Sequence, residues 1–132
     1  MIDEDVSSIP SDEAIDIDVP LRARHGATLR LLVASLGADA GFSIDEIDDL
    51  KLAVSEVFNV LIDSAPSDGT HRARMRLLVD ESMFVIQFRT DQSVGAPELD
   101  PLAETILSSV TDEYHLDGDG VRLVKRAVET SR

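Results

Sequence analysis

Three features of this 132-residue sequence could carry chemistry: an acidic side chain in a long apolar stretch, a glycine-rich run and a group of arginines. Glu56 comes two residues after Val54, which we expect to face the core. A carboxylate at that position is either a solvated helix edge or one wall of a site. The histidines His25, His71 and His115 are scattered without metal-ligand spacing, and cysteine is absent. Thiolate metal sites and cysteine nucleophiles are therefore excluded.

The run Asp117-Gly118-Asp119-Gly120 has two interpretations. Glycines before a helix can cradle a phosphate, because backbone N–H groups at a helix N-terminus point at the anion. Asp-Gly is also the strongest short signal for a β-hairpin turn. A phosphate loop here would leave the chain without its final strands and would expose a sheet edge. We therefore predict the hairpin, with residues 121–126 as its second strand.

Arg22, Arg24 and Arg30 form a small basic cluster in a chain whose formal net charge is −14. They are either a solvated helix face or a contact site for an acidic partner. The overall charge argues against a nucleic-acid or anionic-membrane surface. The N-terminus lacks the basic start of a signal peptide and no segment is suited to span a membrane, so we expect a cytoplasmic protein.

Hydrophobic periodicity predicts the elements that would position these residues. Residues 44–64 predict a helix, since Ser43 and Glu46 form a capping box ahead of a continuous apolar stripe. Alternation predicts strands within 14–21, 71–79, 83–88 and 114–116, and periodicity predicts further helices over 26–38 and 101–112. Gly37 and Gly41 are expected to mark the end of the helix over 26–38. The acidic residues 1–13 are predicted to be a flexible tail, and residues 14–132 a single domain.

The predicted order is strand, helix, helix, hairpin, helix, hairpin. This order indicates an α/β (α+β) two-layer sandwich, with a mostly antiparallel mixed sheet and helices on one face.

The motif Asp49-Leu50-Lys51-Leu52-Ala53-Val54-Ser55-Glu56 resembles the anti-sigma-factor serine/threonine kinases of the histidine-kinase-like (GHKL) ATPase superfamily. Val19-Pro20 before the first helix and Gly41-Phe42-Ser43 before the long one support the likeness, which covers residues 14–127. The resemblance implies a Bergerat-type ATPase fold and a dimer. It also implies ATP and Mg²⁺ as family cofactors and a sigma factor or anti-sigma factor antagonist as partner, with Arg22, Arg24 and Arg30 in the contact region.

The metal position of the resembling family is altered here. In the family, the long helix carries a Glu that acts as base or water-orienter, and an Asn four residues later that holds Mg²⁺. Glu56 matches the first, but Val60 stands at the second and cannot ligate a hard cation. Asn59 is one residue early, about 100° around the helix. It is a weak candidate, so no metal site is expected.

The adenine and phosphate positions are altered too. For the family's Asp-x-Gly-x-Gly motif the chain has Asp91 and Gly95, but Ser93 replaces the first glycine. Pro101 and Ala103 replace the family's phosphate-binding Gly-x-Gly, and proline offers no N–H. The loss of three motifs predicts impaired ATP binding and no cofactor.

The main hypothesis is thus an anti-sigma-factor-like regulator of transcription that captures a sigma factor, an anti-sigma antagonist or both. An active serine/threonine kinase with Glu56 as base is one alternative; ATP would then contact Asn59, Asp91 and Gly95. A dimerising adaptor without nucleotide is the other.

Overall fold

The computed structural model describes residues 9–10, 13–91 and 94–128. A five-stranded, wholly antiparallel sheet in the order β1-β2-β3-β5-β4 packs one face against the helices, and the main core lies between the two layers. The predicted fold class is confirmed. In chain order the elements are β1 (Ile15–Pro20), α1 (Gly26–Ala40), α2 (Ile44–Ser64), β2 (Arg72–Val79), β3 (Met83–Thr90), α3 (Pro101–Val110), β4 (Glu113–Asp117) and β5 (Gly120–Arg126).

Helix α2 is the central element of the helical layer. Its capping box is complete: Ser43 Oγ accepts the N–H of Glu46 at 3.1 Å, and the Glu46 carboxylate accepts the N–H of Ser43 at 2.7 Å. These bonds satisfy donors that a helix N-terminus otherwise leaves free. The apolar stripe of α2 is buried against the sheet and α1, and its members are Leu50, Ala53, Val54, Val57, Phe58 and Leu61.

The end of α1 differs from the prediction. The helix runs to Ala40 instead of residue 38, and only Gly41 ends it, with a left-handed φ of 93° that favours glycine. Gly37, which was also expected to mark the end, lies inside the helix where α1 meets α2. A Cβ there would approach the Ile47 side chain to 3.1 Å. This glycine therefore permits close helix packing instead of breaking the helix.

The hairpin predicted at residues 117–120 is confirmed. β4 and β5 pair antiparallel, with Asp117 opposite Gly120. Gly120 also lies against β3, where a Cβ would come within 2.0 Å of the Phe88 carbonyl oxygen. The glycine is needed for this close strand contact, and the described residues that follow it, up to residue 128, contain a strand and no helix. A phosphate loop at this position is excluded.

The face of the sheet turned away from the helices, called the open face below, carries a second small apolar cluster at one end. Ile9, which lies inside the range predicted as the tail, is buried there with four residues of the sheet. Residues 1–8, 11 and 12 lie outside the described residues. β3 is consequently buried on both faces at this end, as its unbroken run Met83-Phe84-Val85-Ile86 indicates. The sheet residues of the cluster are Leu78, Met83, Val85 and Val124.

Ile9 divides the N-terminal region into two parts with different expected effects on stability. Deleting residues 1–8 should leave the free energy of unfolding nearly unchanged, because these residues are mostly polar or charged. Ile9→Ala should cost about 2 kcal/mol, the low end for truncating a buried aliphatic side chain, since the cluster is peripheral. Urea unfolding of both variants measures the difference. An equal loss in the two variants would contradict this division.

Glu46 should also make stability depend on pH. Burial opposes its charge, but hydrogen bonds from Ser43 and the Val128 N–H, with the positive charge of Lys125, outweigh burial and lower the pKa of the carboxyl below 4.5. Because the folded-state pKa is lowered, the stabilisation is present above pH 4.5 and is lost as the pH falls through the folded-state pKa.

Glu46→Gln should therefore cost about 1–2 kcal/mol at pH 7, because the Val128 N–H loses its charged acceptor. The cost should shrink at acid pH, as the pH falls through the folded-state pKa of Glu46 and the carboxyl itself becomes protonated. Urea unfolding at the two pH values tests this, with Asp45→Asn as a control for an exposed carboxylate in the same helical turn. A cost that is independent of pH would contradict the assignment.

Candidate functional site

A cavity of about 340 Å³ opens between the second half of α2, the segment 95–100 and the start of α3. It gathers most of the residues that the sequence indicated for a nucleotide site: Glu56, Asn59, Val60, Gly95 and Ala103. Asp91 lies elsewhere, in a hollow of about 390 Å³ lined in part by Arg72, Arg74 and Arg89. Ser93 lies outside the described residues. The structure thus separates the expected adenine-reading carboxylate from the other candidates.

The metal position in this cavity lacks a ligand set. Glu56 is half-buried and Asn59 is exposed, and both line the cavity wall because residues three apart share a helix face. Val60 occupies the wall beside them, and its backbone carbonyl accepts the Ser64 hydroxyl at 2.8 Å. Within the described part of the chain, no three carboxylate or histidine groups are arranged to hold a metal ion.

The phosphate position at the N-terminus of α3 is filled by the protein's own carboxylate. Asp100 is the N-cap residue, and its Oδ1 accepts the N–H of Ala103 at 2.8 Å. Pro101 has no N–H, and the N–H of Glu104 is bonded to the Asp100 carbonyl. A helix N-terminus attracts anions through its free N–H groups and its dipole. Here the Asp100 carboxylate already occupies that position.

The other side chains that line the cavity would also repel an anion. Among the described residues that line it there are four carboxylates and no lysine or arginine; the four are Glu56, Asp63, Glu98 and Asp100. Gly95, moreover, packs against the end of α2, where its N–H donates to the Ser64 carbonyl at 3.2 Å. The glycine backbone therefore approaches the helix end rather than an open space for a ligand.

Comparisons with known proteins agree on one family. No protein-family model matches the chain. The serine-protein kinase RsbW of Bacillus mycoides is 26% identical over 94 residues, covering 64% of this chain and 59% of the relative. The anti-sigma-F factor RsbW of Mycobacterium tuberculosis is 40% identical over 67 residues, covering 51% of this chain and 38% of the relative. The crystal structure of the RsbU and RsbW domains of Rv1364c from Mycobacterium tuberculosis covers 90% of this chain with a TM-score of 0.68.

The chain is thus similar in sequence to RsbW proteins that are named serine-protein kinases and an anti-sigma-F factor. The resemblance inferred from the long-helix motif is therefore confirmed. The solved structure is 13% identical and spans far more than this chain, which covers 34% of it, so it supports the fold alone. The chain likewise spans less than two thirds of the curated RsbW relatives that it matches.

The lining of this cavity does not fit ATP with Mg²⁺. A nucleotide triphosphate needs cations or free N–H groups around its phosphates, and a bridging metal needs oxygen ligands. The cavity instead presents carboxylates, Val60 in the metal position and a capped helix N-terminus. No catalytic step through a bound nucleotide can be derived from these residues.

The three arginines that the sequence suggested as one cluster have different surroundings in the structure. Arg22 donates to the Gly69 carbonyl at 2.9 Å, and half-buried Arg30 donates to Ser55 Oγ on α2 at 3.2 Å. Arg24 is exposed, and its guanidinium has no hydrogen bond or ion pair with any described residue. Arg24 lies in the short 3₁₀ turn Ala23–His25 that precedes α1, and Leu31, within α1, is 72% exposed.

The Asp100 cap can be tested by its effect on stability. Asp100→Ala should lower the free energy of unfolding by about 1 kcal/mol, the usual cost of losing an N-cap side chain. Asp100→Asn should cost much less, because the amide oxygen can still accept the Ala103 N–H. Glu98→Ala, at another carboxylate of the same cavity, is the control and should be nearly neutral in urea unfolding. If Asp100→Ala left the free energy of unfolding unchanged, the cap would contribute little to stability.

Proposed function

We propose that this chain is a transcription regulator that works by stoichiometric capture of a protein partner, a sigma factor or an anti-sigma factor antagonist, without using ATP. The carboxylate-lined cavity and the Asp100 cap are the observation that supports loss of nucleotide use. Similarity to RsbW proteins supports the binding role, since one matched relative is named an anti-sigma-F factor. The proposal implies a cytoplasmic protein. Among the described residues, no helix is long and apolar enough to cross a membrane.

The exposed Arg24 supports a protein contact. Its guanidinium pairs with no described residue and is a planar donor suited to carboxylates, and Leu31 of the following helix adds exposed apolar area. Arginine is enriched among residues that dominate interface energies. We assign Arg22 and Arg30 a structural role at this surface, because their hydrogen bonds to Gly69 and Ser55 fix the loop and the helix on either side. A homodimer, which the resemblance implies, is part of the same proposal.

A divergent serine kinase is the second candidate function. The observation in its favour is that Glu56 and Asn59 line one cavity, so a base and an amide oxygen are close together. The matched Bacillus relatives are named serine-protein kinases. Against this reading stand the four carboxylates of the cavity, which would repel the phosphates of ATP. An adaptor that dimerises without either partner is the remaining alternative.

ATP with Mg²⁺ should not bind with useful affinity. Isothermal titration should give no saturable signal, and the melting temperature should not rise, because a ligand that binds only the native state must stabilise it. Val60→Asn restores the metal-binding amide and Asp63→Asn removes one carboxylate, yet neither should create binding on its own. Saturable binding near micromolar Kd by the natural chain would overturn the proposal and favour the kinase.

Arg24→Glu should weaken capture of the partner that co-purifies from the native cytoplasm. We expect a loss of at least about 1–2 kcal/mol in binding, the scale of an interface hot spot. The free energy of unfolding should change little, since Arg24 has no partner to lose. Lys51→Glu makes the same charge change on α2 and is the matched control. Unchanged affinity of Arg24→Glu at low and high salt would remove this surface from the proposal.

The Arg30→Glu variant distinguishes a structural role of Arg30 from direct contact with the partner. Because Arg30 is half-buried and bonded to Ser55, its reversal should lower stability as well as affinity.

A further inference from the structure

The outer side of α1 is poor in charge for an exposed helix surface. Only Arg30 and Asp39 are charged among the 15 residues of α1, whereas seven of the 21 residues of α2 are charged. A surface helix usually turns charged residues to solvent, and a helix that is apolar on all sides is usually covered on all sides. The outer side of α1 thus has the composition of a contact surface, in a chain whose net charge is −14.

Leu31 is the largest side chain on this side of the helix. It is 72% exposed and points away from the core, since it lies two residues from the fully buried Val33. Ala27, Ala34 and Ala38 share its side at helical spacing, and none of them is buried. We call these four residues the outer face of α1, in which one leucine projects from a row of small side chains.

Helix α2 adds a second exposed leucine beside this face. Arg30 donates to Ser55 near one end of the two helices, and Gly37 lies against Ile47 near the other, so α1 and α2 are side by side and antiparallel. Leu52, one turn before Ser55, is 46% exposed. The apolar area available to a partner therefore extends across both helices.

The charges at the ends of α1 are the reverse of those that its own dipole favours. Arg24 and His25 come directly before the first turn, which holds no acidic residue. Asp39 is exposed in the last turn, which holds no basic residue. A helix dipole is stabilised by negative charge at its N-terminus and positive charge at its C-terminus. A second helix that carries the same charges and lies antiparallel would supply both.

We propose that the outer face of α1 binds a second copy of this chain, with the two α1 helices antiparallel about a twofold axis between Leu31 and Ala34. The inference rests on the homodimer of the proposed function and names the surface through which it forms. Leu31 of each copy then packs against Ala34 of the other, and Ala27 lies opposite Ala38. Large side chains thus face small ones in both directions, as the symmetry of an isologous contact requires.

The same arrangement pairs the charges at the helix ends. Arg24 of one copy comes to the height of the α1 C-terminus of the other, within about one helical turn of Asp39. Each C-terminus gains a cation and each N-terminus gains an anion. The four residues of the outer face are uncharged, so the two acidic chains approach most closely where neither carries charge.

Charge decides against other occupants. A uniformly acidic segment would suit Arg24 but would be repelled by Asp39 at the other end of the helix. Nucleic acid would meet a chain of net charge −14. A second copy presents both signs in the required order. Because the contact covers Leu31 and Arg24, the two copies must separate before this surface can capture another protein.

Self-association of the natural chain is the first test. Sedimentation equilibrium should show a monomer–dimer equilibrium, and Leu31→Glu should raise the dimer dissociation constant at least about tenfold, as at an interface hot spot. Leu102→Glu changes a leucine of α3 that is 66% exposed and should leave the constant unchanged. A natural chain that stays monomeric, or a dimer that Leu31→Glu does not weaken, would overturn the proposal.

Cross-linking tests the antiparallel register, since the absence of cysteine allows single attachment sites. A mixture of Ala27→Cys and Ala38→Cys chains should form a mixed dimer with a short bismaleimide. Neither variant should cross-link with itself, because the two copies of the same residue would be about 16 Å apart along the helix axis. Leu102→Cys should cross-link with neither. Efficient cross-linking of Ala27→Cys with itself would indicate parallel helices and contradict the register.

A charge exchange separates this inference from the proposed function. Arg24→Glu and Asp39→Arg should each weaken dimerisation several-fold, and the double variant should restore it, because both members of each pair are then reversed. Capture of the co-purified partner should not be restored, since the partner keeps its own charges. A double variant that fails to recover dimerisation would overturn the α1 contact, while capture by the natural chain would leave the proposed function standing.

Discussion

Burial of the apolar stripe of α2 is the constraint on which the rest of the structure depends. Val54, Val57 and Leu61 are fully buried between the sheet and the other helices, so the helix cannot rotate without exposing them. The orientation of α2 about its own axis in turn determines which of its side chains line the cavity. Moving an amide from position 60 to position 59 thus changes the direction of the side chain by about 100°, and packing prevents the helix from compensating. Core packing therefore also keeps Val60 at the position where the resemblance would place a metal-binding amide.

The N-terminus of α3 illustrates how a ligand site and a stable cap compete for the same groups. Free N–H groups at a helix start can bind a phosphate, but in the absence of ligand they remain unsatisfied. Asp100 and Pro101 resolve this in favour of stability: the carboxylate accepts the Ala103 N–H, and proline removes one donor at a position where none is needed. The start of α3 is therefore stabilised by the chain's own residues.

Much of the fold could be predicted because local signals and tertiary packing agree. The capping box of Ser43 and Glu46 and the alternation of β2 and β3 led to the right elements and, through the long-helix motif, to the RsbW family. Gly37 was misread because a glycine in a helix looks like a helix end unless the neighbouring side chain, here Ile47, is known. The anchoring of Ile9 depends on contacts between residues far apart in the sequence, which no periodicity reports.

The sequence predicted most of the residues that line the candidate site, but it did not predict the concentration of carboxylates there. The positions of Glu56, Asn59 and Val60 follow from helix geometry, whereas the approach of Asp63 and Glu98 to the same cavity requires the fold. Asp100 carried a signal that was available, since an aspartate before a proline at the start of an apolar helix is a typical N-cap. The arginines showed the opposite problem: their proximity in sequence suggested one cluster, but Arg22 and Arg30 have structural partners.

Charge segregation links the two surfaces that the structure leaves for partners. A net charge of −14 repels other acidic molecules at a distance, so an acidic partner must meet locally concentrated cations to bind. Arg24 offers one such cation just before α1, and Arg74 and Arg122, which have no ion pair with any described residue, offer two on the open face of the sheet. Binding of an acidic partner would thus depend on these local cations and not on the overall charge.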